Sequence, residues 1–271
     1  MSDIELSIKT KVESIGVPLK EWDVEIYRGV LTGYNDAFII NSEKRNEILE
    51  NCADDDERER TAAIIRPILR GRDVARYRYN WADLWLINVH NGIKGKLDRI
   101  HIEDYPAIKQ HLDCYWDKVM PRADQGDTPY NLRNCAYLDD FLKPKIIWKR
   151  VGSILRFSYD EKGLYGLDST CFAVGEEIAY ICCFLNSSMG HYLLNGAPRT
   201  GTGDLLISVQ AVEPIKIPII KPELNETFKT IIDKASSNPD AIIDEEVDNI
   251  IFSLYGLTEE EKEFLITNFR G

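Results

Sequence analysis

The chain has little of what most catalytic and disulfide-braced architectures require. Its 271 residues include only four histidines, His90, His101, His111 and His191, scattered singly, and six cysteines, at 52, 114, 135, 171, 182 and 183. No Cys-x-x-Cys pair and no histidine at zinc-finger spacing occurs. Neither a zinc site nor a disulfide framework is therefore indicated. In a reducing compartment the cysteines read as small buried hydrophobes, and the pair Cys182-Cys183 falls in an apolar, helix-like run. A Gly-x-Ser-x-Gly elbow is absent, which excludes a serine hydrolase of that build. No run of about 18 apolar residues is present, which excludes a membrane-spanning helix. The opening Met-Ser-Asp-Ile-Glu-Leu lacks the basic and apolar regions of a secretory signal, so the expected location is the cytoplasm. There is no internal repeat and no low-complexity segment.

What is present is ordinary material for a core: 44% hydrophobic and 29% charged residues, which excludes a disordered chain. The length fits one large domain, or a domain with an appendage. The net charge of -12 argues at first against a nucleic-acid partner. Its distribution changes that argument. Residues 221–271 hold 12 acidic and 5 basic residues, a net of -7, leaving 33 acidic and 28 basic, or -5, for the other 220. Two acid-poor islands lie within that remainder. Phe141 to Arg156 carries Lys143, Lys145, Lys149, Arg150 and Arg156 with no acid, and Arg66 to Arg78 carries five arginines and one acid, Asp73. They allow a basic face on an acidic protein, or merely solvated surface.

Periodicity predicts an α+β fold: a body of mixed or mainly antiparallel sheet with packed helices, followed by an α-helical C-terminal tail. Residues 1–21 form a lead-in, a short helix ended by Gly16 and Pro18; residues 22–220 form the body, and 221–271 the helical region. Strands are expected at Ile26, Phe38 to Ile40, Trp85 to Val89, Lys145 to Val151, Ile154 to Tyr159, Tyr165 to Val174, Leu205 to Val209 and, as an edge strand, Ile215 to Ile220. Helices are expected over Ser42 to Cys52, from Asp54-Asp55-Asp56-Glu57 onward, and over Ile178 to Leu194 with an interruption at Asn186-Ser187-Ser188. Glu103 to Arg122 reads as one amphipathic helix whose aromatic stripe belongs to the core. Arg122 to Asn134 reads as a loop able to vary. In the tail, Pro222 opens a helix, Asp244 to Tyr255 forms another stopped by Gly256, and Thr258-Glu259-Glu260-Glu261 is a capping box for a last one.

Four polar, glycine-bearing turns stand out. Between Ile26 and Phe38 a crossing carries Arg28, Thr32 and Asn35 with Gly29 and Gly33, which permit positive φ and close backbone approach to a ligand. The same residues also suit plain hairpin turn chemistry, or ties from Arg28 and Asn35 to the sheet. Arg70-Gly71-Arg72 follows an apolar segment that includes Arg66, and three guanidiniums near one glycine can grip phosphates bidentately. Lys149, Arg150 and Arg156 flank the turn at Gly152-Ser153. Arg199, Thr200 and Thr202 lie among Gly196, Gly201 and Gly203, in a loop read as DNA-facing or as a plain turn. A nuclease motif can be spelled from Pro239-Asp240 and Glu260-x-Lys262. Its context is wrong, because Glu260 belongs to the first turn of a capped helix rather than to a strand.

The phrases Tyr27-Arg28-Gly29-Val30, Thr32-Gly33-Tyr34-Asn35-Asp36-Ala37-Phe38, Ile68-Leu69-Arg70-Gly71-Arg72-Asp73-Val74, Pro144-Lys145-Ile146-Ile147, Cys182-Cys183-Phe184-Leu185-Asn186-Ser187 and Leu254-Tyr255-Gly256-Leu257, in this order, resemble the TaqI-like C-terminal specificity domain, the target recognition domain of type IIG restriction-modification enzymes. The resemblance covers roughly residues 22–271. It implies a domain that reads double-stranded DNA while a neighbouring N-terminal methyltransferase/endonuclease domain or subunit methylates an adenine. It also implies that S-adenosylmethionine belongs to that other part, with no cofactor, metal or catalytic residue on this chain. The methyltransferase signature, an Asn-Pro-Pro-Tyr type motif, is missing, so the chain is expected to be an excised domain or a separate specificity polypeptide.

The cations then sort by role. Arg66, Arg70, Arg72, Lys149, Arg150 and Arg156 are candidates for phosphate contact, and Arg28, Thr32, Asn35, Arg199, Thr200 and Thr202 for the base edges and their surroundings. Each has an alternative as a surface ion pair or solvated side chain. The competing function is a protein-interaction module whose acidic tail docks a partner.

Overall fold

The computed structural model describes residues 2–238 and 243–271. Ser2 opens helix α1 (Asp3–Ile15) through a capping box with Glu5. Strands β1 (Val17–Pro18) and β2 (Val24–Arg28) follow. The short α2 (Asn35–Phe38) runs into β3 (Ile39–Asn41); the Asn41 side chain caps α3 (Ser42–Glu50), and Asp54 caps α4 (Asp55–Ile64), with three more acids in its first turn against the helix dipole. Next come β4 (Ile65–Leu69) and β5 (Leu84–Ile87). Glu103 to Arg122, expected as one helix, is two: α5 (Pro106–Asp113) and α6 (Trp116–Val119). Tyr115 leaves helical conformation between them and packs its ring near Tyr34 and His111.

The central stretch holds β6 (Lys145–Lys149), β7 (Val151–Gly152), β8 (Phe157–Asp160), β9 (Tyr165–Gly166) and β10 (Thr170–Gly175). It is followed by α7 (Ile178–Asn186), α8 (Ser188–Leu194), β11 (Leu205–Leu206), α9 (Val209–Val212) and β12 (Lys216–Ile217). The chain closes with α10 (Pro222–Ser237), α11 (Asp244–Tyr255) and α12 (Glu259–Phe269). Gly256 ends α11 at φ 59°, and Thr258 caps α12 as expected.

One four-stranded sheet has the order β2-β10-β6-β8 and is antiparallel throughout; a second, β3-β5-β4-β9, is antiparallel except for its parallel β4–β9 pair. Alternation along the strands divides the first sheet between two cores. Ile146, Trp148, Cys171 and Ala173 face a core shared with α7, α8, α10, α11 and α12, while Ile147, Phe172 and Val174 face a core shared with the second sheet and α5. A sheet buried on both faces explains why Lys145 to Trp148 reads as a nearly continuous apolar run. The first core also takes Ile8 and Val12 of α1, so it draws on both ends of the chain.

Several expected strands are revised: Phe38 closes α2 and Val209 opens α9. Tyr165 to Val174 is two strands in different sheets: Thr170 closes a turn on the Leu167 carbonyl through its backbone N–H at 2.8 Å and its hydroxyl at 2.7 Å, and the chain changes sheets there. In the hairpin after β6, pairing runs from Lys145↔Asp160 to Trp148↔Phe157, but Ile154, Leu155 and Arg156 stay outside it, and β7 pairs with β11 instead. Cys171, Cys182 and Cys183 are buried as expected, whereas Cys114 is exposed. Among the described residues, no helix is long and apolar enough to cross a membrane, and no cluster of His, Cys, Asp and Glu is placed to hold a metal.

Candidate nucleic-acid interface

The turn by which the chain changes sheets, residues 166–170, gathers three of the four marked turns around itself. The N–H of Val30 donates to the Gly166 carbonyl at 2.7 Å and that of Gly29 to the Thr170 carbonyl at 3.0 Å. From the second turn, Leu69 accepts from the Leu167 N–H at 2.9 Å, and the Gly71 N–H donates to the Ser169 hydroxyl at 3.0 Å. From the third, the Arg150 N–H donates to the Ser169 carbonyl at 3.0 Å. The fourth, the glycine-rich loop before β11, joins through the next strand pair, where Leu205 and Leu206 face Gly152 and Val151 and the Ile207 N–H donates to the Arg150 carbonyl at 2.8 Å. Arg28, Arg70, Arg72, Lys149 and Arg150 thus share one end of the first sheet.

Glycine serves this assembly in a different way from that expected. A Cβ on Gly29 would stand 2.1 Å from the Leu167 carbonyl oxygen, so its close approach is to protein backbone, not to a ligand. A Cβ on Gly71 would stand 2.8 Å from Cγ of Lys149, and one on Gly152 would touch the same side chain at 3.4 Å. Two glycines from distant parts of the chain thereby form the bed along which the Lys149 stem lies.

Around that stem runs a groove of about 250 Å³ lined by Gly71, Arg72, Val74, Lys149, Gly152, Ser153, Ile154 and Arg156. The lining contains no carboxylate. Arg72, Lys149 and Arg156 are exposed, Arg150 is half-buried beside them, and none of the four side chains makes an ion pair or hydrogen bond among the described residues. Arg156 also lines an adjoining hollow with Arg76, Arg78 and Asp244; neither Arg76 nor Arg78 is among the expected contacts.

The remaining expected contacts fare differently. Arg70 grips Asp73 with Nη2 at 2.7 Å and Nε at 3.0 Å, and the buried Asp73 also accepts from the Arg70 N–H at 2.8 Å. Its guanidinium shapes the turn and is not a free phosphate ligand. Thr32 is only 2% exposed: its hydroxyl donates to Oδ1 of Asn35 at 2.6 Å, so it is removed from any base edge, while Asn35 itself remains exposed at the start of α2. Arg28 lies loosely by Asp168, 3.9 Å from the carboxylate and 3.5 Å from the backbone carbonyl, with its side chain 38% exposed. Arg66 stands apart, at the far end of β4 opposite Leu86. Arg199 is exposed and bonds only neutral oxygens, the Gly203 carbonyl at 2.9 Å and Oδ1 of Asn195 at 3.3 Å; Thr200 and Thr202 hydrogen-bond each other at 2.8 Å. Open space surrounds Gly201 and Gly203.

The acid-free island is acid-free only along the chain. Lys143 pairs with Asp140 at 2.6 Å, and Lys145, fully buried, pairs with buried Asp160 at 2.5 Å and donates to the Phe141 carbonyl at 2.6 Å. Asp160 is satisfied further by the Tyr79 hydroxyl and the N–H groups of Lys162 and Leu164. Burial pulls the Lys145 pKa down while the Asp160 charge opposes this. The loop expected to vary is also fixed, by a residue without a marked sequence signal. Arg122, buried over the Phe38 ring, donates to the carbonyls of Thr32 at 2.7 Å, Pro129 at 2.9 Å, Asn131 at 2.5 Å and Asp124. Burial lowers its pKa to about 10. Of the spelled nuclease motif, Pro239-Asp240 lies outside the described residues, and Glu260 and Lys262 sit in α12, where Lys262 pairs with Glu259 at 2.7 Å.

Comparison with known proteins agrees with the fold. A family model described as the TaqI-like C-terminal specificity domain matches residues 66–219. The structure is similar to that of the type IIL restriction-modification enzyme MmeI, solved in complex with DNA, with a TM-score of 0.63 at 12% identity over 94% of this chain and 37% of that one. It is similar also to the type IIG restriction endonuclease BpuSI, with a TM-score of 0.58 at 15% identity over 97% of this chain and 32% of that one. The chain thus spans about a third of the length of either enzyme. No curated protein matches its sequence.

Proposed function

The chain belongs to the TaqI-like C-terminal specificity domain family, and we propose that it is a target-recognition module that holds duplex DNA for an adenine-N6 methyltransferase or endonuclease located outside residues 1–271. The observation that carries this reading is the carboxylate-free groove of Arg72, Lys149 and Arg156, on a protein whose net charge is -12. Cations left unneutralised on an acidic protein suit a polyanion. With Arg150 they give four charges at one rim, able to displace counterions from phosphates and fix the duplex in register without reading its sequence.

Sequence readout falls to side chains that reach beyond the rim. Arg199 and the paired hydroxyls of Thr200 and Thr202 sit on a loop with open space around it, Arg28 lies beside Asp168 of the 166–170 turn, and Asn35 is exposed at the start of α2. A guanidinium suits the O6 and N7 acceptors of guanine, and an amide suits adenine. The methyl donor, S-adenosylmethionine, belongs in this proposal to the neighbouring part, and the chemistry happens there. The net charge of -12 against a rim of four cations makes the chain alone a weak binder, with a dissociation constant above about 1 μM on random duplex at physiological salt.

The test is duplex binding across a salt series. Four phosphate contacts give a slope of log K against log salt of about -3 to -4. A module that only docks a protein partner binds no duplex at any salt, and that result ends the proposal.

A further inference from the structure

We propose that Ile154 is a base-reading residue, which takes the C5-methyl group of a thymine in the major groove; the proposal rests on the duplex-binding reading above. Ile154 is 62% exposed, and an isolated exposed apolar side chain is by itself unremarkable. Its position sets it apart. It belongs to the segment that leaves the sheet between β7 and β8, and it lines the same groove as Arg72, Lys149 and Arg156. Three cations that seat phosphates would bring this branched side chain against the duplex, where it can form neither an ion pair nor a hydrogen bond.

A stacked duplex offers one apolar feature to a side chain in its major groove, the thymine methyl. The side chain follows the short β7–β11 pair, two residues past Gly152, and a major groove about 12 Å wide admits such a segment. Insertion between base pairs would need support for an opened stack. The groove provides none: its other apolar side chain, Val74, is buried, and Leu155 packs into the first core. A methyl contact is the apolar interaction that a single exposed branch can make without unstacking.

The experiment compares two pools of random-sequence duplex, identical except that one carries thymine and the other deoxyuridine on both strands, against the wild-type chain and Ile154→Ser. The wild type is expected to prefer the thymine pool by up to about 4-fold, the effect of one methyl removed from water. Ile154→Ser is expected to bind both pools equally, with an unchanged salt slope because no charge is lost. Equal wild-type binding to both pools, or a thymine preference that survives in Ile154→Ser, overturns the methyl contact and leaves the duplex reading standing. A preference for a duplex with an abasic site that Ile154→Ser abolishes, without any thymine preference, overturns it in favour of insertion. No duplex binding by the wild type overturns the reading beneath it as well.

Discussion

Two regions of this molecule are rich in cations, and they differ in what those cations face. At the seam between the body and the C-terminal helices Arg76, Arg270 and Lys11 each reach a carboxylate. Arg76 reaches Asp244 at 2.8 Å and the Asn186 and Gly271 carbonyls; Arg270 meets the buried Asp248 at 3.2 Å; Lys11 meets Glu261 at 2.6 Å. At the rim around residues 166–170, Arg72, Lys149, Arg150 and Arg156 have none among the described residues. The seam, packed around the first core, spends these three charges within the protein, whereas backbone hydrogen bonds and glycine contacts build the rim and leave those four charges unused. A basic residue therefore reports function here only after its carboxylates have been accounted for.

Substitutions in the two regions should have opposite signatures, one in stability and the other in duplex binding. The largest effect is expected at the seam. Asp248 accepts from the Ser188 N–H at 2.8 Å, the Ser188 hydroxyl at 2.7 Å and Arg270, so Asp248→Ala leaves a helix N-terminus and a guanidinium without their acceptor. It should cost about 3 kcal/mol of stability in denaturant titration, with the salt slope of duplex binding unchanged. At the rim the reverse is expected. Lys149→Glu with Arg156→Glu should weaken duplex binding about 100-fold at low salt, a loss of about 3 kcal/mol, without moving the denaturation midpoint. A third effect is the pH dependence of the seam. Burial and the nearby Arg76 charge push the His191 pKa down from 6.5 to about 4. Between those values the unfolded chain holds a proton that the folded chain refuses. The contribution is thus complete above pH 6.5 and is lost as pH falls toward 4, and His191→Gln should flatten the stability profile in that window.

Much of the architecture was legible in the sequence because strong local signals agree with the tertiary structure. The run Lys145 to Trp148, the caps at Asp54 and Thr258 and the stop at Gly256 stand where pattern and turn chemistry put them. The split of Tyr165 to Val174 was not legible. It depends on Leu167 pairing with Val30 and Leu69, which are far away along the chain. The site shows the same division. Arg72, Lys149, Arg156 and Arg199 could be marked by their glycine neighbours, but nothing local distinguishes them from Arg70, whose Asp73 lies three residues on, or from Lys145, whose Asp160 lies across a hairpin. Arg122 carried no mark because its partners are backbone carbonyls, which every residue has. The grouping of three arginines around Gly71 failed for a geometric reason: Arg66 is at the other end of a strand, about 13 Å from Arg70 at the usual rise per residue.

The proposed role of the unpaired rim cations is to neutralise DNA phosphates. It is tested most directly by measuring log K against log salt on one duplex for the wild type and for a variant carrying Arg72→Ala, Lys149→Ala and Arg156→Ala. Three lost phosphate contacts should make the variant's slope shallower by about 2.7, with its thermal unfolding unchanged. Parallel slopes for the two proteins would contradict the account.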